Sequence, residues 1–201
     1  MTELPWLIDH AETVSEANLE RIKALGGGIS IQHRMAYQGE HFIRRYGTAA
    51  AAFTPPVKKM LALGIPVALG TDGTRVASYN PWVALYWITT GKTIGGTASM
   101  SPDNCIDRQL ALGLMTSGGY NILRQKNRGK LIEGYAADIA ILDKNYFSIP
   151  DKEIPTIKSV LTIFEGKIVY GDPQLYPASP VSITIIPDWS PVKFYGGYQS
   201  R

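Results

Sequence analysis

The chain has 201 residues, 45% hydrophobic and 18% charged, a balance that allows a buried core and excludes a disordered chain. Lys and Arg total 20 against 17 Asp and Glu, too mild and scattered a surplus for nucleic acid, and no run of about 18 apolar residues predicts a membrane span. The single cysteine, Cys105, excludes an intrachain disulfide and a cysteine-rich metal cage; with no signal-peptide pattern in MTELPWLIDHAE, a cytoplasmic protein is expected.

Residues 5–10 (PWLIDH) predict a short buried strand ending at a histidine. A helix follows over 15–25, with Ser15 as its cap, Leu19, Ile22 and Leu25 at helical spacing, and Gly26 as its stop. GGISIQHR (27–34) predicts a second strand, again ending at a histidine. Glu40 to Tyr46 predicts one or two helical turns, and Pro55 opens a helix closed by Gly64. IPVALGTDGT (65–74) predicts a third strand that breaks into a turn. This alternation of helices with short apolar strands indicates a parallel sheet, whose functional groups sit at the carboxyl ends of the strands. His10, His33 and Asp72 all fall there.

Residues 81–90 predict an apolar helix, and 91–100 a loop. A long helix is expected from Ser101-Pro102-Asp103 to Ser117-Gly118-Gly119, burying Ile106, Leu110 and Leu114, with a short helix over 120–126 after it. The pattern then changes to strands: GKLIEG, DIAILD, and VLTIFEGKIVYG with a hairpin turn at Glu165-Gly166. Residues 172–201 are proline-rich and predict an extended or irregular tail.

Three histidines, His10, His33 and His41, are too few for any scheme needing four or five histidine ligands. His10 suits either a packed strand end or a metal ligand. Asp72 suits either a turn aspartate bonded to its own backbone or a carboxylate that binds metal and takes a proton from activated water. His33 is expected at a rim or behind the site, with substrate contact as the alternative, and His41 as a solvated side chain. Arg75 would pair a substrate anion or Asp72 itself, Trp82 would join the core, and Cys105 would be a structural thiol. No glycine-rich phosphate loop and no Gly-x-Ser-x-Gly elbow is present.

IDHAE, LGTDGT, NPWVALYWITTGKTIGG and the segment RGKLIEGYAADIAILD to VLTIFEGKIVYG resemble the C-terminal part of the amidohydrolase superfamily, specifically amidohydrolase family 3. The resemblance covers about residues 5–171. It implies an α/β fold: strands 6–8 of a (β/α)₈ TIM-type barrel over 1–127, part of a small β-sandwich over 128–171, and an irregular tail over 172–201. It implies His10 as a metal ligand after the sixth strand and Asp72 as metal contact and proton shuttle after the eighth. His33 and Arg75 remain substrate-binding candidates. The implied cofactor is a divalent metal, zinc foremost, and the implied substrate a small molecule with a non-peptide carbon–nitrogen bond, such as an amide or formamide. The family's His-x-His pair and the ligands of its fourth and fifth strands have no counterpart here. The expectation is therefore a C-terminal fragment inactive alone, completed by an N-terminal partner chain or a homo-oligomer; the alternative is a non-catalytic remnant or interaction subunit. No nucleic acid and no membrane is expected as a partner.

Overall fold

The structure, a computed structural model, describes residues 4–73 and 75–176. Its first layer is a three-stranded parallel sheet of β1 (Leu7–Asp9), β2 (Gly28–Gln32) and β3 (Val67–Gly70), in the order β1-β2-β3. The register sets Leu7 against Gly28 and Asp9 against Ser30, then Ile29 against Val67 and Gln32 against Gly70. Ile29, Ile31, Val67, Ala68 and Leu69 are all buried, the continuous apolar run of a strand covered on both faces. Among the described residues β1 and β3 each pair on one side only, so both outer edges of the sheet are open. Ile8, on edge strand β1, is exposed.

Helices return the chain between strands. α1 (Glu16–Ala24) is capped by Ser15, whose Oγ accepts from the Asn18 N–H at 3.3 Å, and buries Leu19 and Ile22. Leu25 is exposed, because it is the C-cap and the helix ends there; Gly26 follows at φ +71°. α2 (Met35–Tyr46) is longer than the one or two turns expected. It runs into the short α3 (Thr48–Ala51), and α4 (Val57–Ala62) leads to β3. Gly39 permits α2 to lie close to the following loop, since a Cβ there would stand 2.9 Å from the Thr93 methyl.

α5 (Pro81–Thr90) is buried nearly all round through Val83, Ala84, Leu85, Trp87 and Ile88. Asn80 caps it by accepting from the Trp82 N–H at 2.9 Å and donates to the Pro155 carbonyl at 3.0 Å, tying the helix to a segment 75 residues away.

The long helix expected from Ser101 is not one helix. Ser101 caps a 3₁₀ turn, Pro102–Asn104, and Cys105 is then extended. The buried Asn104 amide accounts for the break: it donates to the Pro55 carbonyl at 2.8 Å and accepts from the Lys58 N–H at 3.2 Å. The helix restarts as α6 (Arg108–Gly113), capped by Asp107, passes through a π-helical turn (Leu114–Gly118), and ends in α7 (Gly119–Ile122), short of the expected 126. Ile106 and Leu114 are buried as expected, but Leu110 is 39% exposed. Gly118 lets this turn rest on β3, since a Cβ there would meet the Val67 carbonyl at 2.8 Å.

The second sheet is antiparallel: β4 (Ile139–Leu142), β5 (Ser159–Phe164) and β6 (Lys167–Gly171), in the order β4-β5-β6. The hairpin joins β5 to β6 through Glu165 and Gly166, at φ +49° and +78°, the positive pair that a two-residue hairpin turn needs. GKLIEG forms no strand. Its flanking glycines, Gly129 and Gly134, are left-handed, and Leu131 and Ile132 are both exposed, without the alternation of a half-buried strand. Arg108 anchors the chain ahead of β5, donating to the Tyr146 and Ile149 carbonyls and to Asp151. Arg128 pairs with Asp138 and Glu165 below the hairpin. Of the predicted tail, residues 177–201 lie outside the described residues. Among the described residues no helix is long and apolar enough to cross a membrane.

Candidate functional site

β1 ends where the backbone turns left-handed: His10 is at φ +71° and Ala11 at +51°, with the His10 N–H still bonded to the Ser30 carbonyl at 2.8 Å. β3 ends likewise, with Asp72 at φ +48°. Gly73 is required beyond it, because a Cβ would lie 2.6 Å from Tyr79 Cα. These two turns aim side chains from either side of β2 toward one another. His10 Nε2 stands 3.9 Å from Asp72 Oδ2, with the two side chains 42% and 47% exposed.

That distance is too long for a hydrogen bond. It is near the roughly 3.3 Å between neighbouring donors around a four-coordinate zinc with ~2.0 Å bonds. Among the described residues the local side-chain bond comes from Thr71 Oγ1, which accepts from the Gly73 N–H at 3.4 Å. His10 Nδ1 is buried without a hydrogen-bond partner. Imidazole and carboxylate are side-chain types that suit a divalent cation. Among the described residues no group of three or more His, Cys, Asp or Glu side chains could hold a metal.

His33 follows β2, the central strand. It is wholly buried, its ring edge-on to Tyr37 with centroids 5.7 Å apart. Burial drives its pKa down to about 4; the Gly70 backbone opposes this weakly without closing a well-formed hydrogen bond to either ring nitrogen. The ring is therefore neutral at pH 7. Above the unfolded value of 6.5 it is neutral in both states and its contribution to stability is complete. As pH falls from 6.5 to 4 the unfolded chain gains a proton that the folded chain refuses, and stability drops by up to about 3 kcal/mol. His33→Leu is expected to remove that part of the pH dependence. Urea unfolding at pH 4.5 and 7 measures it, and equal losses in both proteins would refute it.

Arg75 is exposed and makes no ion pair with Asp72 among the described residues. Trp82 is half-buried and packs on Tyr146 at 5.5 Å. Cys105 is half-buried, and burial raises its thiol pKa, as for an unreactive thiol. His41 is exposed on α2. Sequence reasoning missed a polar cleft on that helix, although the spacing of Arg34, Gln38, His41 and Arg45 would have revealed a shared face.

Residues 2–170 match the profile of the amidohydrolase family. The chain belongs to that family. Among curated proteins, this amidohydrolase is 31% identical over 142 residues to a 5-methylthioadenosine/S-adenosylhomocysteine deaminase of Dictyoglomus thermophilum, covering 71% of this chain and 30% of that protein. Among solved structures, an uncharacterized metal-dependent hydrolase from Pyrococcus furiosus superposes with a TM-score of 0.59 at 26% identity, over 71% of this chain and 29% of that one. Atrazine chlorohydrolase TrzN from Arthrobacter aurescens, complexed with zinc, has the same fold over 88% of this chain and 37% of its own, with a TM-score of 0.61 at 18% identity. The chain spans about a third of the length of the curated relatives it matches. The parent family is one of hydrolases, and the amidohydrolase fold here is α/β, like that of its TIM-barrel neighbours.

Proposed function

We propose that this chain carries part of the catalytic centre of a metal-dependent hydrolase that opens non-peptide carbon–nitrogen bonds of small molecules, amides or formamides among them. The observation that carries the proposal is the convergence of His10 and Asp72 at 3.9 Å from strands on either side of β2. In this reading β1 to β3 are strands 6–8 of a (β/α)₈ barrel within residues 1–127. The antiparallel sheet belongs to a sandwich over 128–171.

His10 Nε2 and Asp72 Oδ2 would hold the divalent cation, zinc foremost; when bound, it supplies Lewis acidity and makes water a nucleophile at neutral pH. The left-handed turns fix both side chains at the strand ends. Asp72 accepts a proton from the attacking water at a carboxylate oxygen and returns it to the departing nitrogen. His33 stays neutral, and Arg75, exposed three residues past Asp72, would meet an anionic substrate group. The single free thiol suits a reducing compartment such as the cytoplasm.

Two ligands are fewer than the three that catalytic zinc sites draw from protein, so the chain alone is expected to be inert. Zinc-supplemented amide hydrolysis should be absent for the purified 201 residues and should appear with a polypeptide supplying the remaining barrel units. Robust turnover by the chain alone would overturn this dependence. A second reading, a non-catalytic assembly subunit, is favoured by the open edges of β1 and β3 and by exposed Phe164, Ile168 and Tyr170 on the second sheet. It predicts a stable complex that lacks zinc-dependent turnover.

A further inference from the structure

We infer that the cavity between α5, α6 and β4 binds a neutral aromatic small molecule, held by its apolar walls and by one hydrogen bond from the Tyr146 hydroxyl to the ligand's oxygen. The site is separate from the proposed catalytic pair, since neither His10 nor Asp72 lines it. It encloses about 550 Å³, within the roughly 300–1,000 Å³ of small-molecule sites. α5 contributes Trp82 and Leu85, three apart on one helical face. Leu112 and Met115, also three apart, form a second wall, and Ile139 and Leu142 of β4 a third.

The walls are fixed by contacts of the chain with itself. Gly129, at φ +77°, lies against the π-helical turn, where a Cβ would stand 2.8 Å from Ser117 Cα. Arg108 donates to the Tyr146 carbonyl and, at 2.7 Å, to the Ile149 carbonyl, which holds the backbone around Tyr146. The Tyr146 ring packs on Trp82 at 5.5 Å and Phe147 at 5.2 Å, with the Arg108 guanidinium 5.6 Å from its centre. Tyr146 is 2% exposed, and among the described residues its hydroxyl has no hydrogen-bond partner. Buried phenols normally find one, and leaving the group unpaired is costly. Burial pushes its pKa up to about 12, so it stands in the cavity wall as an O–H donor at neutral pH.

The charges in the lining favour a neutral ligand. Asp138 is paired with Arg128 at 2.9 Å, and Lys144 with Glu153 at 3.3 Å. Lys130 is exposed and keeps its hydration. An ion entering this apolar space would lose its water without gaining a buried counter-charge. The rings of Trp82 and Phe147 and the Met115 thioether suit a flat aromatic body. Leu131 and Phe147 are 74% and 57% exposed, so a ligand that covers them gains apolar burial.

The test is an NMR titration of the 201-residue chain with 2-naphthol and with naphthalene, which has the same rings and no oxygen. Both should shift the Trp82 indole and Met115 methyl signals, and 2-naphthol should bind about tenfold more tightly. Tyr146→Phe should bring 2-naphthol to the affinity of naphthalene and leave naphthalene unchanged. It should not lower the melting temperature, because the lost hydroxyl had no partner. Ala140→Trp, at an exposed lining position, should fill the cavity and abolish binding of both. Ile168→Ala, an exposed apolar position outside the lining, should change nothing. Absence of binding, equal affinity for the two probes, or a 2-naphthol preference that survives Tyr146→Phe would overturn the proposal. So would a dimer in sedimentation that excludes both probes and that Ala140→Trp dissociates, since the occupant would then be a second copy of the chain. The Tyr146→Phe comparison decides by itself if the tryptophan variant fails to fold. The titration uses neither cation nor turnover, so it stands or falls apart from the catalytic reading.

Discussion

Asp72→Asn is expected to lower hydrolysis by the completed enzyme about 10²- to 10⁴-fold while leaving the fold and its melting temperature unchanged. Asn has nearly the same shape and tolerates the left-handed backbone at φ +48° about as well as Asp, so the backbone cost stays constant. The side chain is half-exposed and its carboxylate faces His10, and among the described residues it accepts no hydrogen bond that the amide would lose. The loss falls on charge and on proton acceptance, which an amide cannot provide. The measurement is kcat/KM for an amide substrate in the reconstituted enzyme, paired with a melt of the variant. Unchanged turnover would remove Asp72 from the chemistry; lost turnover with a lowered melting temperature would make its role structural. Alanine is the poorer choice, because it adds strain at this φ.

Trp87→Ala is expected to cost about 3–5 kcal/mol, the largest stability effect of any single truncation in the core. Trp87 is the bulkiest of the fully buried side chains, and it lies on the helix that packs between the parallel sheet and the Asp151–Thr156 turn. Removing it leaves a cavity that rigid α5 cannot close, since Asn80 and the left-handed Gly91 fix both of its ends. Against a typical domain stability of about 5–15 kcal/mol, this leaves little margin. Trp87→Phe separates volume from polarity. Trp87 Nε1 has no hydrogen-bond partner, so the phenylalanine variant loses volume and no bond, and it should retain most of the stability. Urea unfolding of the three proteins checks the order; an alanine variant within 1 kcal/mol of the parent, roughly the error of such extrapolation, would refute it.

β2 and β3 were legible because burial on both faces leaves an uninterrupted apolar signature, whereas β1, expected to be buried, is an edge strand with Ile8 exposed; strand-end logic put His10 and Asp72 at the ends of β1 and β3. Their approach to 3.9 Å was not legible, since it depends on the registers of β1 and β3 against β2. The helix after Ser101 was misread for a similar reason. Its capping signal is real but serves a 3₁₀ turn, and the residue that breaks the helix, Asn104, is held by Pro55 and Lys58, more than 40 positions away. α2 was cut short because glycine and polar residues lower its local helical signal, whereas Gly39 is what lets it pack against Thr93 and Ser99. The burial of His33 carries no local mark: the same Gln-His-Arg turn would suit an open rim as well as a closed one.

The left-handed turns at His10, Ala11 and Asp72 set stability against chemistry at the same positions. A left-handed residue with a Cβ costs on the order of 1–2 kcal/mol, less for Asp, and glycine avoids the cost. A screen that selects this chain for heat resistance alone should therefore enrich glycine at these positions, including the two proposed as metal ligands. Survivors of such a screen would be firmer proteins stripped of both proposed ligands, so a stabilisation campaign has to exclude His10 and Asp72 from its library at the outset.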